Sequence, residues 1–419
     1  MTTPRQQLIE LLDRDAERMV RFLSEFLAKP SANPPGDTRE ATAFVADFLK
    51  AEQVPFRIVD PQPEMPNILG TFEAAGAGKH LVLNGHIDVF PAGDPADWQH
   101  DPWSGKIVDG RVWGRGATDM KAGTTASIMT YAYLYRFREH LKGKLTLTAV
   151  SDEETGGKWG TRYLLENHAD EAKGDCVLNG EPSDPCAVRF AEKGTLRLTF
   201  TIRTPGAHGA YTHRSKNANR IAGHLMDRLD KLVDIPPAMP ESVAAVVNRP
   251  ESLAAADQAM GEGTSTIINK VTVNYGVLRG GLKVNMLPGT CVMEADIRLP
   301  VGTTRETVMA EIETILADFP EASVAVQEAA SNPTSHSDPT HEMIALVQQA
   351  ASELGRPRPE VICSLGATDC KHFRYHGVPA YVYGVPPGNM SMADESVAIA
   401  DFLHVVKTHA LAAFDYLSA

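Results

Sequence analysis

The sequence lacks the features that mark several large classes of protein. It contains no dense block of lysine and arginine, and 40 basic against 53 acidic residues give a net charge of −13. A surface of that charge disfavours nucleic acid as a partner. No stretch of about 18 apolar residues is present to span a bilayer, and the charged N-terminal segment has no apolar signal core. We therefore expect a cytoplasmic protein that binds neither nucleic acid nor a membrane.

Cysteine is also scarce. The five cysteines are an odd number without CxxC or zinc-finger spacing, which indicates reduced thiols rather than a disulfide framework. No P-loop, dinucleotide-binding fingerprint or nucleophile elbow is found. What remains is a globular chain whose 43% hydrophobic content can form sizeable cores. Its 419 residues exceed the roughly 250–300 at which a single core stops growing, so two domains are expected.

The order of the predicted elements gives the domain organisation. Strands alternate with helices over 1–192 and again over 330–419, which predicts an α/β sheet covered on both faces. The first helix is expected over about 5–28. Over 193–329 the order changes to strand, helix, strand, strand, helix, strand, which is typical of a split βαβ sandwich. We therefore predict a catalytic α/β domain with an inserted α+β (βαββαβ) domain, in which the Pro/Ala/Gly-rich stretch 237–263 is loop.

The first chemically suggestive segment is GHIDV, which follows a predicted strand at the edge where open α/β sheets bind ligands. His86 and Asp88 are two residues apart and face the same way on an extended segment. An imidazole can bind a divalent metal through one nitrogen while the other donates to a carboxylate. His86 is therefore a candidate metal ligand oriented by Asp88, with an ordinary hydrogen bond between them as the alternative.

Three acidic segments add further candidates. In VWGRGATDMKAG, Asp119 closes a glycine-containing loop before a helix, so it could bridge two cations or cap that helix. In SDEETGG, a hydrophobic strand leads into Glu153 and Glu154, which suit a metal ligand beside a proton-transferring acid, unless the turn is simply exposed. In NGEPS, another strand ends at Glu181. Four such segments in this order are an improbable coincidence.

Together GHIDV, GRGATDMKAG, SDEETGG and NGEPS resemble the superfamily of co-catalytic zinc hydrolases that contains acetylornithine deacetylase, succinyl-diaminopimelate desuccinylase, aminoacylase-1, carnosine dipeptidases and glutamate carboxypeptidase. The resemblance implies an exopeptidase-like catalytic domain with two divalent ions, foremost Zn²⁺ and otherwise Co²⁺ or Mn²⁺. His86, Asp119 and Glu181 would surround one ion. Asp119 would bridge to a second ion, held also by Glu154, and the peptide after Asp119 would be cis. Glu153 would be the general base for a metal-activated water.

The resemblance extends over essentially the whole chain. TPGAHGAYTH is similar to the segment whose first histidine, here His208, reaches the active site of the neighbouring subunit and stabilises the oxyanion. This implies a homodimer formed through a lid domain. The alternative is that His208 simply lies in a polar loop. VNMLPGTCVMEADIRLP resembles the strands that supply Asn285 and Arg298 to the substrate, although Arg298 would also suit a surface ion pair. SLGATDC resembles a turn whose Gly366 lies against the substrate and whose Asp369 is structural.

One segment departs from the family pattern. The superfamily usually supplies a histidine ligand four residues before a glutamate near the C-terminus, whereas here Ser391 precedes Glu395 by four residues. A serine hydroxyl binds zinc more weakly than an imidazole does. We therefore expect the second ion to be held weakly, with water, His372 or His376 completing its site.

These segments predict a metallo-amidohydrolase that deacetylates or desuccinylates N-acyl-amino acids. A dipeptidase or carboxypeptidase acting on short peptides is the alternative, because both kinds of substrate place an amide beside a carboxylate. A non-catalytic binding protein on the same scaffold is a third interpretation, prompted by Ser391.

Overall fold

The computed structural model describes residues 2–418, which form 18 strands and 14 α-helices. The strands are β1 (Arg57–Val59), β2 (Asn67–Glu73), β3 (Gly76–His86), β4 (Lys106–Val108), β5 (Arg111–Trp113), β6 (Lys142–Val150), β7 (Cys176–Asn179), β8 (Ala187–Glu192), β9 (Gly194–Arg203), β10 (Ala207–His208), β11 (Thr272–Gly280), β12 (Met286–Leu287), β13 (Thr290–Leu299), β14 (Ala322–Val326), β15 (Ser335–His336), β16 (Glu360–Ser364), β17 (Ala380–Val382) and β18 (Ser396–Ala398). The helices are α1 (Pro4–Arg14), α2 (Ala16–Leu27), α3 (Arg39–Ala51), α4 (Lys121–Arg136), α5 (Thr161–Asn167), α6 (Ala169–Ala172), α7 (Ala218–Leu229), α8 (Glu241–Val247), α9 (Pro250–Met260), α10 (Thr264–Ile267), α11 (Arg305–Leu316), α12 (Glu342–Glu353), α13 (Cys370–Tyr375) and α14 (Ile399–Ser418).

The larger sheet has nine strands and is parallel at its centre. Eight strands follow the order β1-β2-β6-β3-β7-β17-β8-β15, and β16 pairs with β8. Strand β3 is parallel to both β6 and β7, and β7 is parallel to β17. Helices α4 and α14 cover one face, while α5, α6 and α13 contribute to a second cluster on the other. This confirms the predicted α/β class and brings the segments after β3, β6 and β7 to one edge.

The N-terminal helical segment differs from the single helix expected over 5–28. It is divided into α1 and α2 at Asp15, whose backbone lies outside helical geometry (φ −90°, ψ 9°). The Asp15 carboxylate accepts a hydrogen bond from the hydroxyl of Tyr133 on α4, at 3.0 Å. The apolar face is nevertheless buried on both sides of the break. Its fully or almost fully buried members are Leu8, Leu12, Met19, Phe22, Leu23 and Phe26.

The smaller sheet has the predicted βαββαβ composition. Its four strands follow the order β11-β13-β9-β14, and every pair is antiparallel. Helices α7 and α11 pack on one face and close a separate hydrophobic cluster with alternate residues of β9 and β13. Strand β11 forms one edge of this sheet.

The stretch 237–263 is helical, so the expectation of a loop was wrong. It contains α8 and α9, with Pro250 at the first position of α9, where a missing N–H costs nothing. Alanine-rich α9 packs against β8 and β16 of the larger sheet. We therefore propose that α8–α10, although within 193–329, belong to the catalytic domain. Among the described residues, no helix is long and apolar enough to cross a membrane.

Candidate active site

A histidine and two carboxylates converge at the carboxyl edge of the larger sheet. His86 ends β3, Glu181 lies just after β7, and Asp119 lies just before α4. The Nε2 atom of His86 is 3.3 Å from Oδ1 of Asp119 and 3.4 Å from Oε1 of Glu181. This Nε2 is buried and has no hydrogen-bond partner in the described part of the chain. These three residues are the one group of this kind in residues 2–418, and their atoms fit a divalent metal ion.

Asp88 supports the site in two ways. Its carbonyl oxygen accepts the hydrogen bond from Nδ1 of His86, at 2.7 Å, whereas its carboxylate is 3.5 Å from that nitrogen. A proton on Nδ1 leaves the Nε2 lone pair free for a metal. The Asp88 carboxylate instead accepts from the side-chain amide of Asn33 (2.9 Å) and from the backbone N–H groups of Glu153 (3.2 Å) and Glu154 (3.1 Å). The carboxylate therefore fixes the acidic turn, a role that the sequence did not indicate.

The acidic turn after β6 is largely buried, which rules out the exposed-turn alternative. The Glu153 side chain is 12% exposed and lies 3.5 Å from the ammonium group of Lys371. Burial raises the pKa of Glu153 to about 8, against the lowering effect of Lys371. Burial and then the charge of Asp119 raise the pKa of Glu154 to about 11, and its Oε1 atom has no partner.

The Asp119 loop is held by the C-terminal part of the chain. Helix α4 has Met120 at its N-cap position and no side-chain cap, so Asp119 is not the helix cap. The Asp119–Met120 peptide is cis, as the resemblance implied. The fully buried carboxylate of Glu395 accepts hydrogen bonds from the N–H groups of Thr118 (2.8 Å) and Asp119 (3.0 Å) and pairs with Arg115.

Crowding of these acids makes the site attractive to cations. Burial and then the charge of Asp119 raise the pKa of Glu181 to about 7. For His86, burial would lower the pKa, but the carboxylates of Asp119, Asp88 and Glu181 outweigh it and raise the pKa well above its usual value. Bound divalent ions would relieve the repulsion among the carboxylates.

A cavity of about 650 Å³ opens beside the metal-ligand candidates. Gly366, expected to lie against the substrate, lines this cavity. Its walls include the polar residues Asp119, Glu181, Asp184, Arg189, Gln258, Ser364 and Thr368 and the apolar residues Met260, Leu365, Pro386 and Met390.

Two of the expected site residues, the oxyanion-stabilising His208 and the substrate-binding Asn285, lie elsewhere in the chain. His208, on β10, is exposed and lines a separate cavity of about 840 Å³. Asn285 is exposed before β12, and its carbonyl oxygen accepts from the N–H of Gly209 at 2.7 Å. Neither residue lines the cavity that contains Asp119 and Glu181. One chain by itself therefore does not place His208 or Asn285 in that cavity.

Arg298 and Asp369 have partners of their own. The guanidinium of Arg298, on β13, pairs with Asp296 at 2.9 Å, which is the ion-pair alternative considered for it. Asp369 is buried and accepts a hydrogen bond from the hydroxyl of Thr161 at 2.7 Å. This contact ties α13 to α5 beneath the site, in keeping with a structural role.

Ser391, His372 and His376, which were considered in connection with the second ion, each have other neighbours in the structure. Ser391 adopts a left-handed backbone conformation (φ 62°), and its carbonyl oxygen accepts from Arg115 at 3.2 Å. His372 is buried beside Gly157, and burial followed by the charge of Lys371 lowers its pKa to about 3. Neither His372 nor His376 belongs to the group formed by the metal-ligand candidates.

A parallel-centred α/β sheet with a histidine–carboxylate cluster at its carboxyl edge and buried glutamates beside it defines a metal-dependent hydrolase. Residues 82–415 match the family described as Peptidase family M20/M25/M40. The chain belongs to this family. It is therefore a metal-binding hydrolase that acts on amide bonds, which confirms the class predicted from the sequence.

Individual relatives agree with this assignment. Succinyl-diaminopimelate desuccinylase of Cereibacter sphaeroides is 30% identical over 344 residues, which cover 80% of this chain and 83% of that protein. An M20 family metallo-carboxypeptidase from Sulfolobus solfataricus has a TM-score of 0.78 at 18% identity, covering 96% of this chain and 99% of the other. A dinuclear metal-binding M20 peptidase of Bacillus subtilis has a TM-score of 0.66 at 17% identity, covering 97% and 99%.

Proposed function

We propose that this protein removes the acyl group from N-acyl-amino acids, using two divalent ions, foremost Zn²⁺. The observation that carries the proposal is the orphaned Nε2 of His86 between Asp119 and Glu181, with the buried acid Glu153 beside it. The similarity to a desuccinylase supports acyl removal. A carboxypeptidase or dipeptidase activity is the second candidate, supported by the likeness of the fold to a metallo-carboxypeptidase.

The residues divide the chemistry between them. His86, Asp119 and Glu181 would hold one ion, and Asp119 and Glu154 would hold the second. The ions, when bound, acidify water and polarise the scissile carbonyl. Glu153 accepts the proton of the attacking water and delivers it to the leaving amine.

Positioning of Glu153 comes from its neighbours. Its backbone N–H donates a hydrogen bond to the carboxylate of Asp88, and the ammonium group of Lys371 lies 3.5 Å from its side-chain carboxylate. A glutamate held at both its backbone and its side chain needs little rearrangement to transfer a proton.

Four of the five free cysteines are buried, and these reduced thiols support a cytoplasmic location.

A substrate panel tests the proposal. Metal-loaded protein is assayed with N-acetyl- and N-succinyl-amino acids, dipeptides and C-terminally extended peptides, and amine release is measured. We expect the acylated amino acids to give the highest kcat/KM. A preference for dipeptides would favour the second candidate, and hydrolysis of no amide by protein with full metal content would overturn both.

We further propose a homodimer in which His208 completes the site of the partner. His208 lies away from the metal-ligand candidates of its own subunit, and exposed apolar side chains surround the same end of the small sheet. Contiguous exposed apolar residues mark protein interfaces, and β11 offers a free sheet edge. The exposed set is Tyr211, Leu278, Leu282, Val284 and Met286.

Mixing two inactive variants should restore activity if this dimer forms. Glu153→Ala and His208→Ala subunits are unfolded together and refolded at equal concentration. Random pairing makes half of the dimers hybrid, each with one intact site, so about a quarter of wild-type activity is expected. His213→Ala, which changes another exposed histidine of the same loop, serves as the control and should be active alone. An active monomer in analytical ultracentrifugation, or no recovery from hybrids verified by mass spectrometry, would refute the arrangement.

The second metal ion should bind more weakly than the first. Ser391 stands where an imidazole is usual, so the second ion would have Asp119 and Glu154 as its protein ligands. Equilibrium dialysis with metal analysis should give one tight and one weak ion per subunit, and Ser391→His should tighten the weak one. Ser391→Asn, which adds a side chain without an imidazole, is the matched control. Two ions of indistinguishable affinity in the wild type would refute the idea.

A further inference from the structure

Arg189, on β8, is a buried guanidinium without a matching carboxylate. The residue is 8% exposed. Its Nη1 donates to the hydroxyl of Ser364 at 3.2 Å, while its buried Nε has no partner. None of the ion pairs formed by residues 2–418 includes it, and these pairs do include two other buried arginines. Arg115 pairs with Glu395, and Arg374 pairs with Glu192 at 3.1 Å.

An unpaired buried charge is costly. Removing a guanidinium from water is strongly unfavourable unless a counter-charge with good hydrogen-bond geometry replaces the water. The charges of Glu181 and Glu192 raise the pKa of Arg189 more than those of any other acid do. Neither carboxylate is close enough to form an ion pair with it. Glu181 belongs to the metal-ligand candidates and Glu192 pairs with Arg374, so both are already engaged. Burial lowers the pKa of Arg189 only to about 10, so it stays charged at neutral pH.

The location of Arg189 shows what its partner would be. It lines the 650 Å³ cavity together with Asp119, Glu181 and Gly366. With metal ions bound to the carboxylates, Arg189 becomes an additional positive charge in that space. A planar guanidinium binds a carboxylate through two parallel hydrogen bonds, so an anionic group of a bound substrate fits this position.

We infer that Arg189 binds a second carboxylate of the substrate, distinct from the carboxylate beside the scissile amide, and so selects dicarboxylic substrates. The second carboxylate belongs either to the acyl group or to the side chain of the amino acid. This inference rests on the proposed amidohydrolase function. Arg298, on the small sheet, remains the candidate for the carboxylate beside the amide.

The test compares each acid with its uncharged amide of nearly the same shape. N-succinyl-L-alanine is paired with N-succinamoyl-L-alanine, and N-acetyl-L-glutamate with N-acetyl-L-glutamine. In the wild type, one acid should exceed its amide in kcat/KM by about 30-fold or more, because an unmatched buried charge is expensive. The pair that shows the preference identifies whether the acyl group or the amino acid carries the second carboxylate. No preference in either pair would overturn the inference.

Variants assign the preference to this residue. Arg189→Met, similar in length and uncharged, should bring the acid-to-amide ratio close to one, and Arg189→Lys should give an intermediate ratio. A smaller fraction of folded or metal-loaded protein does not change the acid-to-amide ratio of kcat/KM, because both substrates are assayed with the same protein preparation. Arg298→Gln is the control and should lower kcat/KM for both members of a pair while keeping the ratio. An unchanged ratio in Arg189→Met would overturn the assignment.

Two further measurements keep the inference testable if Arg189→Met does not fold or if the protein hydrolyses no amide. Ser364→Ala removes the one hydrogen-bond partner that the Arg189 guanidinium has among residues 2–418, and it should reduce the ratio even if Arg189→Met does not fold. Calorimetry with metal-loaded Glu153→Gln protein should show tighter binding of succinate than of succinamate, and the difference should shrink on adding Arg189→Lys and disappear on adding Arg189→Met. If this difference is found but wild-type protein hydrolyses no amide, the proposed function fails while the anion site stands. If amides are hydrolysed without discrimination, the anion site fails while the function stands.

Discussion

Glu153→Gln is expected to lower turnover by about 10²–10⁴-fold while the metal content stays unchanged. A positioned general base usually contributes a rate factor of about this size. The substitution keeps the size of the side chain and removes the group that takes the proton. The backbone N–H of residue 153 keeps its hydrogen bond to Asp88, so the turn should hold its shape. Because Glu153 is not among the three clustered metal-ligand candidates, the ions should remain.

The measurement is kcat on protein whose metal content has been determined by mass spectrometry. Glu166→Gln, which alters an exposed glutamate on α5, is the matched control and should leave kcat unchanged. Turnover within a few fold of the wild type in Glu153→Gln would remove this residue from the role of general base. Loss of metal together with activity would instead make Glu153 a ligand.

His86→Ala is expected to abolish both tight metal binding and activity. The variant leaves Asp119 and Glu181 without the only imidazole in the described cluster, and two carboxylates alone form a poor zinc site. The loss should reach the background of the assay, because both hydration of the substrate carbonyl and its polarisation depend on the ion.

His80→Ala is the matched control for this experiment, since His80 lies on the same strand and donates to or accepts from Thr146 rather than a metal-ligand candidate. After chelation, dialysis and reloading, the control should bind as much metal as the wild type. Full occupancy in His86→Ala would contradict the ligand assignment.

The sequence predicted the elements that follow a regular pattern. Alternating strands and helices indicated the α/β sheet, and the order of the small sheet was correct because period-two strands such as β9 carry a strong signal. The break at Asp15 was missed because the apolar spacing continues through it, and only a contact with Tyr133 reveals it. Helix α9 was missed because alanine and proline suggested a loop, whereas burial against β16 makes them helical.

For the candidate site, the sequence likewise indicated the residues that belong to motifs but not their distant neighbours. His86, Asp119 and Glu181 come together because each ends or follows a central strand or precedes α4 at one edge of the sheet, which the motifs already indicated. Lys371, Arg189 and Glu395 were not predicted as parts of the site. Each acts through contacts with residues far away in sequence, and no local spacing carries that information.

The buried carboxylate of Glu395 also fixes when the site can exist. Its hydrogen bond to the N–H of Thr118 joins residues 277 positions apart. A ribosome has therefore made His86, Asp119 and Glu181, the three clustered metal-ligand candidates, long before it makes the residue that holds the Asp119 loop in place. The nascent chain must keep these acids apart, or solvated, until Glu395 has emerged. A chain that ends before Glu395 should therefore be recovered without bound metal, whereas a chain that includes this residue should bind it.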